Sequence, residues 1–83
     1  MKVQIRYFAS VREALATSGE TVETGAGTLA ALRDELIARG GAYATALARG
    51  KAVRRARDQA MTEEAAALRE GAEVAFFPPV TGG

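Results

Sequence analysis

From Lys2 to Ala9 the chain alternates, with Val3, Ile5 and Tyr7 on one side and Lys2, Gln4, Arg6 and Phe8 on the other. A period of two predicts a half-buried β-strand with Val3 and Ile5 facing the core. Phe8 falls on the polar side, where a large aromatic is either covered by a loop or exposed as a contact for a partner. Ser10 to Leu15 reads as a turn or the start of a helix, and Thr17-Ser18-Gly19 breaks it. Glu20 to Thr24 then has the look of an edge strand ending at Gly25, pairing with the first strand as a hairpin.

The period then changes. Leu29, Leu32, Leu36 and Ile37 recur at helical spacing behind Thr28, with Arg33, Asp34 and Arg39 on the other side. The leucine stripe is core, and Gly40-Gly41 ends the helix. Ala42 to Ala48 predicts a short helical turn pinned by Tyr43 and Leu47. Lys51 to Gln59 is ambiguous, a third strand of modest β propensity. Thr62 is placed to cap one or two helical turns over Glu63 to Leu68. Gly71 turns the chain into a last strand, Glu73 to Phe77, with Val74 and Phe76 on one face and Ala75 and Phe77 on the other.

The order is β-β-α-β-β with short helical inserts, an α+β fold. One main helix covers one face of a mixed sheet of four to five strands, and the first and last strands lie side by side at its centre. That is the β-grasp arrangement of ubiquitin. It leaves the opposite face free, with Phe8 and Phe77 as neighbours on it. The expected division is a domain over residues 1–77 and a protruding tail over residues 78–83.

Charge and composition narrow the function by exclusion. Eleven Lys and Arg stand against ten Asp and Glu, a net charge of +1, which gives no global attraction to nucleic acid or an anionic membrane. The run Lys51, Arg54, Arg55 and Arg57 could hold phosphate, but no aromatics are interleaved as stacking platforms. A solvated strand face, or a rim facing an acidic partner, fits it better. No cysteine and no histidine are present, which removes disulfides, thiolate metal sites and the commonest nucleophile and general base. Met1-Lys2-Val3-Gln4 opens straight into a strand pattern without a signal peptide, and no apolar run approaches a membrane span. A cytoplasmic protein is expected, with no nucleic-acid or membrane partner.

The functional stretch is Phe76-Phe77-Pro78-Pro79-Val80-Thr81-Gly82-Gly83. Pro78 and Pro79 donate no N–H and cannot continue a ladder within a sheet, so they predict a stiff polyproline-like exit. Gly82 and Gly83 have no side chains and suit insertion into a narrow cleft. What remains at the tip is the α-carboxylate of Gly83. A frayed end would be polar; this one starts from two aromatics and two prolines.

Glu73 to Gly83 resembles the C-terminal signature of the small, sulfur-carrier subunits of molybdopterin synthase, within the MoaD/ThiS-like ubiquitin-like proteins. Tyr7-Phe8-Ala9-Ser10-Val11-Arg12-Glu13 is similar to the family's first strand and turn, and the helix at Thr28-Leu29 sits where the family has one. Asp58-Gln59 stands where members usually carry Asn-Gln, and Gly71-Ala72-Glu73 where they carry Gly-Asp-Glu. The arginine-rich run before Asp58 is unusual among them.

The resemblance implies that an E1-like activating enzyme adenylates Gly83 with ATP, with Gly82 threading the tail into the active site. A sulfur donor, such as a cysteine desulfurase or rhodanese, then leaves a thiocarboxylate. This thiocarboxylate would donate sulfur to a cyclic pterin phosphate precursor inside the large catalytic subunit, in an assembly of two small and two large subunits. The chain would bind no stable cofactor and catalyse nothing alone. Phe8, Met61 and Phe77 match apolar partner contacts of the family, and Arg12 a position close to that interface. Pro78, Pro79, Val80 and Thr81 would line the partner's channel. Met61 as a core gap-filler and Arg12 as a solvated turn residue are the plain alternatives. A sulfur carrier for thiamine, cysteine or tRNA thiolation, a modifier joined to lysines through Gly83, and an inert docking tail are the competing functions.

Overall fold

The computed structural model describes residues 1–79. Its elements run β1 (Lys2–Tyr7), α1 (Ala9–Leu15), β2 (Gly19–Glu23), α2 (Leu29–Ile37), α3 (Gly41–Ala46), β3 (Arg54–Arg57), β4 (Ala60–Met61) and β5 (Glu73–Phe77). The strands form one sheet in the order β2-β1-β5-β3-β4. β1 and β5 are parallel at its centre, and the other neighbours are antiparallel. The first and last strands lie side by side, as the order of elements predicts.

Burial follows the same alternation. Val3, Ile5 and Tyr7 from β1 and Val74 and Phe76 from β5 are buried, and meet Leu29, Leu32 and Leu36 of α2 in one core. Nine such side chains are almost fully removed from water, each worth roughly 1.5–3 kcal/mol. β1 and β2 pair antiparallel as expected, and the turn or helical start read over Ser10 to Leu15 between them is the helix α1. Gly19 sits where β2 starts against β1, and a Cβ there would lie 2.5 Å from the Ile5 carbonyl oxygen. Only glycine allows the backbones that close.

α2 begins as its sequence predicts, with Thr28 Oγ1 accepting from the Ala31 N–H at 3.2 Å. Its other free N–H groups are met differently. Leu29 and Ala30 donate to the carbonyls of Ala66 and Glu64 at 3.1 and 2.7 Å, and Leu68 N–H donates back to Gly27 at 2.9 Å. This corrects the reading of 62–68 as a capped helix. The segment is an irregular loop whose carbonyls cap α2, so they are not available for helical bonds of their own.

Arg33 is a second correction. It was expected on the open side of α2, yet it is 3% exposed. Its Nε donates to the Leu47 carbonyl at 2.8 Å and one terminal nitrogen to Ala48 at 2.7 Å, while the other reaches Glu64 at 3.3 Å. Burial lowers the guanidinium's pKa, and Glu64 works against that; an arginine stays charged under such a shift. Arg33 thus ties α2 to the loop before β3 and the loop after β4.

Candidate functional site

The register of the strands decides which side chains share the face that α2 leaves open. Residues paired across a ladder project to the same side. Arg54 pairs with Phe77, Ala56 with Ala75, and Ala56 also with Met61. Arg6 pairs with Ala75 across the parallel ladder, and Tyr7 with Phe76. The next step along both strands brings Phe8 beside Phe77, and the Phe8 N–H donates to the Phe76 carbonyl at 3.1 Å. One row across the open face is therefore Phe8, Phe77 and Arg54, and the row below it is Arg6, Ala75, Ala56 and Met61.

The exposures mark this face as open and partly apolar. Phe8 is 46% exposed and Met61 56%. Phe77 is half-buried, its neighbours covering part of the ring. Phe8 stands in the open, so no loop among the described residues covers it, and Met61 does not fill a core gap. Ala56 is buried but does not belong to the core cluster, which places it on this side. Phe8, Phe77 and Met61 are thus brought together as the sequence suggests. Ala56, Ala75 and Arg54 join them, and only the register reveals those three.

At the end of β5 the chain passes Pro78 and Pro79. Two cavities flank them. One, of about 270 Å³, lies among Ser10, Val11 and Ala14 of α1, Thr45 and Ala46 of α3, and Lys51 to Val53. The other, of about 280 Å³, lies among Val53, Arg54, Arg55, Met61, Thr62 and Pro79. Arg12 is exposed on α1 beside Ala9 and Glu13, one helical turn from Phe8, whose carbonyl accepts from the Arg12 N–H at 3.3 Å. Val80, Thr81, Gly82 and Gly83 lie outside the described residues.

The basic run does not act as one patch. Arg55 donates to the Val53 carbonyl at 3.1 Å and faces Glu64 at 3.9 Å. Arg57 donates to the Ala67 carbonyl at 2.6 Å. Both are paired with Phe76 and Val74, on the helix side of the sheet. Alternation sends Arg54 alone to the open face.

On the helix side, Glu20 holds the tail end of the sheet together. It accepts from the hydroxyls of Tyr43 at 2.8 Å and Tyr7 at 3.0 Å, and from Arg39 at 2.8 Å. Burial alone would raise its pKa, but the three donors outweigh burial and hold the carboxyl below its usual range. The Tyr7 hydroxyl is pushed well above the usual phenol value, first by burial and then by Glu20.

A sheet with parallel first and last strands at its centre, a helix across one face and an apolar patch on the other defines a ubiquitin-like β-grasp protein. Residues 5–83 match the model of the ThiS family, and the chain belongs to that family. It is 40% identical over 81 residues to the molybdopterin synthase sulfur carrier subunit of Escherichia coli (strain K12), a match spanning 98% of this chain and 99% of that one. The corresponding subunit of Haemophilus influenzae is 36% identical over the same shares of both chains. Among solved structures, the putative molybdopterin converting factor, subunit 1, from Pyrococcus furiosus superposes with a TM-score of 0.80 at 25% identity, covering 96% of this chain and 99% of that one.

Proposed function

We propose that this chain is the sulfur-carrier subunit of a molybdopterin synthase, with residues 1–77 as the docking body and 78–83 as the delivering tail. The observation that supports this best is the 40% identity to a sulfur carrier subunit along nearly the whole length of both chains. The open apolar row ending at Phe77, with Pro78 following it directly, is the geometry such a task needs. A partner that covers Phe8, Phe77 and Met61 receives the tail at a defined place, which raises the local concentration of its tip.

The chemistry lies at the Gly83 carboxylate. An E1-like enzyme with ATP forms a bond from a carboxylate oxygen to the α-phosphorus, and pyrophosphate leaves. The terminal sulfur of a donor protein's persulfide attacks the acyl carbon and AMP leaves. A second thiol then attacks the donor's sulfur in the resulting acyl disulfide, the S–S bond breaks, and a thiocarboxylate remains while the donor is left in a disulfide with that thiol. Inserted into the large subunit, that soft nucleophile delivers sulfur to a cyclic pterin phosphate. The chain has no cysteine or histidine, so in this reading activation and transfer are catalysed by the partners, in the cytoplasm, and this chain binds no cofactor of its own.

The test is the intact mass of the chain after incubation with the host's activating enzyme, ATP and a sulfur donor, beside a variant lacking Gly83. Exchange of one oxygen for sulfur in the full chain only is the expected result. No exchange, with enzyme and donor active on another substrate, would overturn the carrier reading. Sulfur transfer to the pterin precursor, reconstituted with the large subunit, then separates this pathway from other thiolation pathways.

A further inference from the structure

Arg54 stands in the row Phe8–Phe77–Arg54, directly across the ladder from Phe77, and lines one cavity with Met61 and Pro79. It is bracketed by the two apolar side chains a partner would cover and by the proline that leads into the tail. Arg55 and Arg57 are held by carbonyls on the helix side, and Arg6 on the open face has Glu73 at 3.7 Å. Arg54 makes no ion pair and no side-chain hydrogen bond among the described residues. A surface that closes over Phe77 and Met61 therefore also closes over a guanidinium that has no acceptor among the described residues. Burying that charge unpaired is strongly unfavourable, whereas a carboxylate meets it with two parallel hydrogen bonds.

We infer that the partner protein docking on this face carries an acidic side chain opposite Arg54, and that Arg54 is a specificity residue for that partner. The inference rests on the carrier reading above and adds the chemistry of the partner's surface. Phe8, Phe77 and Met61 supply area that many apolar surfaces could match. Arg54 rejects those that cannot pair it, since specificity comes from what a wrong partner leaves unsatisfied. Its charge also steers the encounter, so association is faster at low salt.

The experiment measures association and dissociation rates of the full chain with the large subunit of the host's molybdopterin synthase, across a salt series. Arg54→Glu should weaken binding about tenfold or more, mostly with a slower on-rate and a flattened or inverted salt dependence. Arg54→Gln, which keeps the size without the charge, should lose part of the salt dependence while melting like the parent. Arg69→Glu makes the same charge change at the opposite end of the sheet, and should stay within about twofold. Unchanged binding of Arg54→Glu and Arg54→Gln, or an equal loss in Arg69→Glu, would overturn the assignment while leaving the carrier function standing. If the unaltered chain does not bind the large subunit at all, both readings fall.

Discussion

Tyr7 and Phe76 stack across the parallel β1–β5 pair, with ring centroids 6.4 Å apart and planes 19° from parallel. The next residue on each strand, Phe8 and Phe77, projects to the opposite face. Two adjacent aromatic pairs thus lie in different surroundings, one inside the core and one on the open face, because a strand reverses its side chains at every step.

That separation predicts opposite phenotypes for neighbouring substitutions. Phe76→Ala should destabilise the protein by about 3–5 kcal/mol through the cavity it leaves, seen as a lowered midpoint in urea. Phe77→Ala should cost little stability but weaken binding to the large subunit by about 2 kcal/mol or more. Titration calorimetry with unchanged affinity would remove Phe77 from the docking face.

Arg33 is the largest polar investment in the interior. Arg33→Ala leaves the carbonyls of Leu47 and Ala48 without their donor and Glu64 without one of its cations. The expected loss is about 3 kcal/mol. Because those carbonyls begin the segment that leads to Lys51 and Val53, the same variant should raise hydrogen exchange along that wall of the tail cavities. A denaturation curve matching the parent's would show the network to be dispensable.

Glu20 makes stability depend on pH in a defined direction. Its carboxyl is held below the usual value of about 4.3, so its contribution is complete above that pH and is lost as pH falls through the lower folded-state value. Glu20→Gln should be less stable at neutral pH by about 1–2 kcal/mol, and the gap to the parent should close in acid. Tyr7 acts at the other end. Its raised value means the folded state keeps the proton longer than the unfolded chain, so stability declines as pH rises above about 10. Parallel acid limbs for Glu20→Gln and parent would argue against the Glu20 statement, and a parent whose stability does not fall above about pH 10 would argue against the Tyr7 statement.

The β3–β4 turn offers a gain. Asp58 and Gln59 both have positive φ, 52° and 70°, the conformation of a two-residue turn that favours Asp-Gly or Asn-Gly. Gln59→Gly should stabilise the protein by a few tenths of a kcal/mol to about 1 kcal/mol, since glycine meets no steric penalty at that φ. Asp58 should be kept, because its Oδ1 accepts from the Glu73 N–H at 3.0 Å. A lower melting temperature in Gln59→Gly would mean that the Gln59 side chain contributes more than the backbone strain costs.

Local pattern was enough for much of this molecule. Alternation through Val3, Ile5 and Tyr7, helical spacing through Leu29, Leu32 and Leu36, and Thr28 ahead of them determined the core elements, because solvent exclusion acts on each face of each element separately. The motif from Phe76 to Gly83 carried the family, because stiff prolines and side-chain-free glycines have few other uses together. Register, however, is a relation between distant strands. It was the tertiary structure that sent Arg54 to the open face beside Phe77 while Arg55 and Arg57 went to the helix side. It also gathered Ala56, Ala75 and Met61 into one patch. Arg33 became a buried tie, and 62–68 a cap for α2, for the same reason. A polar group's partner is decided by which backbone carbonyls the fold brings within reach, and no spacing along the chain records that.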